Sequence, residues 1–274
     1  MTNRRTVLRS AALLAALGAS TRASAQAAPG PLAIGDTFTL YSTVLGESRR
    51  INVYNAPSGP DAKPLPVLYM PDGGMAEDFL HIAGLLQVSI GNGTMRPFML
   101  VGIENTQRRR DMTGPSDDPR DRGIAPVIGG SAAFRRFIRE ELMPAVKARY
   151  RTTNETAIIG ESLAGLFVME TLFQAPELFD TYIAIDPSVW WNHEFLLAAG
   201  AAQVRTRPFA GKSLYVGVSG EPGMPALSGR LRQVLEAAGK SGLRFELTPF
   251  PEESHATIYH PAALRALRTV FKPR

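Results

Sequence analysis

Short apolar runs alternate along this chain with segments whose apolar residues recur at helical spacing. The region from Phe38 to Asn55 alternates apolar and polar positions through Phe38-Thr39-Leu40-Tyr41 and again through Arg50-Ile51-Asn52-Val53-Tyr54, which predicts strands paired by a turn at Gly46-Glu47. After the turn formers Ala56-Pro57-Ser58-Gly59-Pro60-Asp61, the run Val67-Leu68-Tyr69-Met70 is apolar at every position and stops at Pro71-Asp72-Gly73-Gly74. A strand buried on both faces has that pattern. It returns in Phe98 to Ile103, Ala157 to Gly160, Tyr182 to Asp186 and Ser213 to Val218, and a further strand is expected over Arg244 to Thr248. Helical periodicity lies between them, over Gly84 to Ile90, Ser131 to Tyr150, Leu163 to Phe173, His193 to Ala202, Leu227 to Ala238 and Pro261 to Phe271. Alternating strands and helices predict an α/β protein with a mostly parallel central sheet and helices on both faces. Thr106 to Gly130, rich in Arg, Asp, Pro and Gly, has no period and is expected to be a long binding loop anchored by Ile124 to Ile128.

Composition narrows this picture. With 274 residues, 45% of them hydrophobic, the chain can bury one large core. There is no cysteine, so neither disulfides nor thiolate metal ligands are available. The four histidines, His81, His193, His255 and His260, form no H-E-x-x-H motif, and neither a metal nor an organic cofactor is expected. At the N-terminus, Arg4-Arg5 precede the apolar run Ala11 to Leu17 and Ala23-Ser24-Ala25 follows it, the layout of a cleaved export signal over residues 1–25, of twin-arginine type. The apolar run is too short to span a bilayer, so no stable membrane insertion is expected after cleavage and the mature protein, residues 26–274, is expected to be one periplasmic or secreted domain. That segment carries Arg4, Arg5, Arg9 and Arg22 and no acid, so its removal lowers the formal net charge from +5 to +1. A nearly neutral mature protein without a basic, aromatic-interleaved element is not expected to bind nucleic acid.

Candidate chemistry centres on Ala157-Ile158-Ile159-Gly160-Glu161-Ser162-Leu163-Ala164-Gly165, which sets a serine between an apolar strand and an apolar helix with small residues two before and two after it. A strand-turn-helix elbow needs such residues, because the nucleophile sits in a strained turn and bulk at Gly160 or Ala164 would collide across it. Ser162 is the candidate nucleophile; an N-capping serine is the plainer alternative. The amide of Leu163 would face a developing oxyanion, and Gly73 or Gly74 would supply the second donor. Serine needs a base, which in this chain order comes last. His255, in the polar loop Phe250 to Thr257, fits that position, whereas His193 comes too early and is at most a pocket residue. The orienting acid is expected after the Ser213 to Val218 strand, which makes Glu221 the leading candidate and Glu252 and Glu253 its rivals.

These segments together resemble the Putative esterase family of α/β-hydrolases, which includes esterase D and the enterobactin-type trilactone esterases. The resemblance rests on the elbow, on Met70-Pro71-Asp72-Gly73-Gly74, on Val101 to Thr106 leading to Arg108-Arg109-Arg110-Asp111-Met112-Thr113, on Phe134 to Tyr150, on Asp186-Pro187-Ser188-Val189-Trp190-Trp191-Asn192 and on the final histidine-helix unit. It implies the α/β-hydrolase fold and a nucleophile and base at Ser162 and His255. It also suggests that Arg108 or Arg110 binds an anionic substrate group and that Trp190 and Trp191 wall the pocket. Ala164 departs from a frequent glycine and Asp186 from a frequent serine. The function expected is hydrolysis of a small-molecule or carbohydrate-linked carboxylic ester through an acyl-enzyme, with siderophore, feruloyl, acetyl and small acyl esters as candidate substrates. The alternatives are an acyltransferase of the same fold and a non-catalytic exported binding protein.

Overall fold

Successive side chains of a strand point to opposite faces of its sheet, so a run that is apolar at every position can feed two cores at once. The structure, a computed structural model describing residues 30–57, 59, 61–204, 206 and 208–273, uses this in a single eight-stranded sheet. The expected export signal lies outside the described residues. From Ile34 onward the chain forms one compact unit.

In chain order its elements are β1 (Gly35–Ser42), β2 (Glu47–Tyr54), β3 (Leu65–Pro71), α1 (Phe79–Gly91), β4 (Met99–Ile103), α2 (Arg108–Met112), α3 (Pro119–Ile124), α4 (Ser131–Phe137), α5 (Met143–Arg149), β5 (Thr152–Glu161), α6 (Leu163–Gln174), β6 (Thr181–Ile185), α7 (Trp191–Gln203), β7 (Ser213–Ser219), α8 (Met224–Gly239), β8 (Arg244–Phe250) and α9 (Tyr259–Val270). The sheet order is β1-β2-β4-β3-β5-β6-β7-β8. β1 and β2 form an antiparallel hairpin, β2 pairs antiparallel with β4, and the remaining neighbours are parallel. This is the α/β-hydrolase fold, with the mostly parallel sheet that the pattern predicted.

The alternation sorts residues between two cores. Val67 and Tyr69 of β3, Ile158 of β5, Tyr182 and Ala184 of β6 and Val216 of β7 join one cluster with residues of α4, α6, α7 and α8. Leu68 and Met70, Ala157 and Ile159, Ile183 and Ile185 and Tyr215 join the other with α1 and α9. Each fully buried aliphatic or aromatic side chain of this kind contributes about 1.5–3 kcal/mol. Among the described residues no helix is long and apolar enough to cross a membrane.

Three elements differ from expectation. The region from Thr106 to Gly130 is not structureless, since α2 and α3 form within it. The helix expected over Ser131 to Tyr150 widens to a π-helix at Ile138–Leu142, between α4 and α5. Pro144, near the start of α5, has no N–H to return to the preceding turn, and the wider turn accommodates that loss. Within α7, Asn192, His193 and Glu194 have left-handed φ of 48°, 53° and 61°, so regular helix begins only after them.

Candidate active site

The site begins with a backbone constraint. Between β5 and α6 the chain turns at Ser162, which takes φ 59° and ψ −120°, an unfavourable conformation for a residue with a Cβ. Three hydrogen bonds hold it: Ser162 N–H donates to the Ile185 carbonyl (3.0 Å), and the Ser188 and Leu166 N–H groups donate to the Ser162 carbonyl (3.1 and 2.9 Å). The turn closes only because Gly160 lacks a side chain, since a Cβ there would lie 2.8 Å from the Ala164 Cβ. The Ser162 hydroxyl makes no capping bond to the helix.

Instead the hydroxyl meets His255, whose Nε2 is 3.0 Å from Ser162 Oγ. His255 lies in the turn between β8 and α9, with its side chain 46% exposed. Its Nδ1 is 2.7 Å from Oδ2 of Asp186, a carboxylate with no exposed side-chain surface at the end of β6. Asp186 has φ 42°, and Ser219 fixes both its oxygens, the amide donating to Oδ1 (2.8 Å) and the hydroxyl to Oδ2 (2.9 Å). The Asp186 carboxylate on Nδ1 raises the His255 pKa above the ordinary imidazole value; partial burial opposes the shift, and the charges of Glu161 and Glu221 reinforce it.

The acid position corrects the sequence expectation. Glu221 does follow β7, but its Oε2 accepts from the His255 backbone N–H at 3.3 Å, not from the imidazole. Neither Glu252 nor Glu253 bonds to the ring, whose Nδ1 partner is Asp186. Asp186 is one strand nearer the nucleophile, because β6 lies between β5 and β7 in the sheet. The signal was present in the sequence: an aspartate closes a fully apolar strand, after Ser162 and before His255.

The three amides expected to face an oxyanion differ in what they already bond. Leu163 opens α6, where first-turn amides have no intrahelical acceptor. Gly73 is not available as a donor, because its N–H is bonded to the Ile103 carbonyl at 2.9 Å. Its glycine identity serves close packing: a Cβ would meet the Ile103 nitrogen at 2.2 Å. The Gly74 N–H donates to Glu77 Oε2 at 2.7 Å, so it can serve an oxyanion only if Glu77 withdraws.

The arginines expected to bind substrate are held internally. Arg108 Nε and Nη2 donate to Asp72 at 2.7 and 2.8 Å, and Asn105 donates to the same carboxylate. Arg110 bridges Asp111 and Glu47, both at 2.7 Å, and the fully buried Arg49 pairs with the same two carboxylates. Arg109 is exposed and has no ion-pair partner among the described residues; it lines a shallow groove with Gln107, Pro126 and Val127. Trp191 is buried and, with Leu166, Phe195 and Leu196, walls a cavity of about 80 Å³ beside α6; Leu166 lies one helical turn past Ser162. Trp190 is half-buried and packs on the core behind it. His193 sits between Asp117 and Asp118, at 3.6 and 3.5 Å, away from the relay.

The model of the family described as "Putative esterase" matches residues 42–213. The chain is 30% identical over 200 residues to the ferri-bacillibactin esterase BesA of Bacillus subtilis, covering 68% of this chain and 67% of that protein. It is 35% identical over 163 residues to the siderophore triacetylfusarinine C esterase of Aspergillus fumigatus, covering 53% of this chain and 51% of the relative. The crystal structure of an IroE-like serine hydrolase from Shewanella oneidensis superposes with a TM-score of 0.76 at 28% identity, over 86% of this chain and 80% of that one.

Proposed function

The chain belongs to the Putative esterase family and is a carboxylic ester hydrolase of the serine type, and from that premise we propose that it cleaves siderophore-type esters through an acyl-enzyme on Ser162. The observation that carries the reading is the continuous relay from Ser162 Oγ through His255 to Asp186, at 3.0 and 2.7 Å. Ser162 Oγ attacks the ester carbonyl while its proton passes to His255 Nε2. Asp186 keeps the Nδ1–H tautomer and stabilises the imidazolium. The Leu163 amide, joined by the Gly74 amide once Glu77 yields, receives the oxyanion. The imidazolium then protonates the departing alcohol, and a water activated by His255 hydrolyses the acyl-enzyme.

The substrate class is supported by relatives named for ferri-bacillibactin and triacetylfusarinine C hydrolysis, both small-molecule esters. The signal-like residues 1–25 support export to the periplasm or medium. Because Arg108 and Arg110 are neutralised internally, Arg109 is the arginine of that run left to meet an anionic substrate.

The test is hydrolysis of p-nitrophenyl butyrate and of a trilactone siderophore by the purified mature protein and by Ser162→Ala. The variant is expected to lose at least about a thousandfold in kcat while remaining folded. Retention of wild-type activity would remove Ser162 from the mechanism, and turnover of the simple ester without the trilactone would remove the siderophore assignment.

A further inference from the structure

Among the described residues, one ionisable side chain outside the relay reaches the imidazole. Glu161, the residue immediately before the nucleophile and the last of β5, has Oε1 3.4 Å from His255 Nε2, on the ring edge that also faces Ser162. Its side chain is only 16% exposed and accepts no hydrogen bond among the described residues. Burial pushes its pKa up to about 7, with the charges of His255 and Arg108 opposing the rise and those of Asp72 and Asp78 adding to it. Tyr259, at the start of α9, completes the surroundings, and its own pKa is raised well above normal first by burial and then by Asp78, Asp72 and Glu161.

The charge balance gives Glu161 a role. Three carboxylates, Asp72, Asp78 and Glu161, act there on one guanidinium, Arg108, and Asp72 already engages that group through both its oxygens. Glu161 is therefore not needed to neutralise Arg108, and the negative excess is relieved when the neighbouring imidazole takes a proton. We propose that Glu161 is a positioning residue for the base: its carboxylate flanks Nε2 of the imidazolium while Asp186 flanks Nδ1, steadying the ring and its charge as Ser162 is deprotonated. The proton moves from Ser162 Oγ to Nε2 and on to the leaving alcohol; Glu161 forms no covalent bond and acts as the carboxylate, the form that prevails above its pKa of about 7.

The inference rests on the Ser162-His255 relay, and its consequences have a definite sign. The working base is neutral His255, so activity falls as pH drops through the His255 pKa. An anionic Glu161 raises that pKa and stabilises the imidazolium formed in the transition state. Removing the charge therefore lowers the plateau and moves the acid limb to lower pH, and one pH unit of movement corresponds to about tenfold in rate.

The experiment is kcat/KM for p-nitrophenyl butyrate from about pH 5 to about pH 9, the range in which such bases titrate, for wild type, Glu161→Gln, Glu161→Asp and Ser162→Ala. Active sites are counted by fluorophosphonate labelling and folding is checked by thermal unfolding. Glu161→Gln is expected to lower the plateau about tenfold and to shift the acid midpoint down by about one unit. Glu161→Asp keeps the charge but draws it back from Nε2, so it shifts the midpoint in the same direction by less; it decides the matter by itself if Glu161→Gln does not fold. An unmoved midpoint in the folded variants, with Ser162→Ala inactive, overturns the role of Glu161 and leaves the relay intact. Activity in Ser162→Ala overturns the relay itself.

Discussion

A carboxylate that orients a catalytic histidine must present one oxygen to Nδ1 and have its remaining capacity satisfied, or it competes for other donors. Asp186 meets both conditions, because Ser219 donates to each of its oxygens while Oδ2 also holds the imidazole. Glu221 meets neither, since its contact is with a backbone amide. Asp186→Asn keeps the shape but offers an amide that favours the wrong imidazole tautomer, and kcat is expected to fall by about 10⁴, as for a triad aspartate elsewhere. Glu221→Gln should stay within about threefold, the effect of a peripheral charge screened by solvent. Steady-state kinetics of the two variants side by side test the assignment, which reverses if Glu221→Gln is the damaged one. In the sequence, both acids lie between Ser162 and His255 and both follow apolar strands. A positive φ at Asp186 turns its side chain toward the histidine, and periodicity carries no information about that dihedral.

At the scale of elements, the elbow was legible because its requirements are local. Gly160 and Ala164 must nearly touch for β5 to turn into α6 within one residue, and sequence spacing alone demands small side chains there. Gly160→Ala places its Cβ 2.7 Å from the Ala164 carbonyl carbon, a clash with backbone that no rotamer relieves. Overpacking of this kind costs about 1–3 kcal/mol, to be read as a lowered urea midpoint, and the displaced Ser162 should reduce activity beyond that loss. An unchanged midpoint would mean that the elbow is looser than its geometry implies. The short helices α2 and α3 were not legible. With five and six residues they are too short to show a period, and nucleating so short a helix is unfavourable unless tertiary contacts hold it. Those contacts are visible: Asp118 caps α3 through Arg120 N–H, and Asp121 of α3 accepts from Asn192 N–H at 2.7 Å.

Across the whole molecule, a buried ion network joins the antiparallel edge of the sheet to the segment that follows β4. Arg49 of β2 has no exposed side-chain surface, pairs with Glu47 and Asp111, and lies 5.4 Å from the centre of the Phe134 ring. Arg110 reaches the same carboxylates from α2. Removing one member of a buried pair leaves its partner desolvated, at a cost of about 3–5 kcal/mol. Arg49→Met should fall near the lower end, about 3 kcal/mol, because Arg110 still engages Asp111. Chemical denaturation measures the loss, and a neutral result would show that Arg110 alone supports the network. The same network explains why the Arg-Arg-Arg-Asp run, an apparent anion site in the sequence, is largely structural. Its charges were visible along the chain, but Glu47 and Arg49 lie about 60 positions away in sequence, and only the fold brings them into contact.

By itself, the sequence determined the layered α/β architecture, the hairpin and the elbow, and it singled out Ser162 and His255. These follow from periodicity, turn chemistry and residue order, which act over a few neighbouring positions. Tertiary structure decided what depends on positions far apart: that Asp186 and not Glu221 meets the imidazole, that Arg108 and Arg110 are spent on internal carboxylates, that the Gly73 amide is used within the sheet, and that Glu161 borders Nε2. Each is a contest among several chemically adequate groups for one atom. Distance settles such a contest, and distance between remote residues is set by strand order and packing.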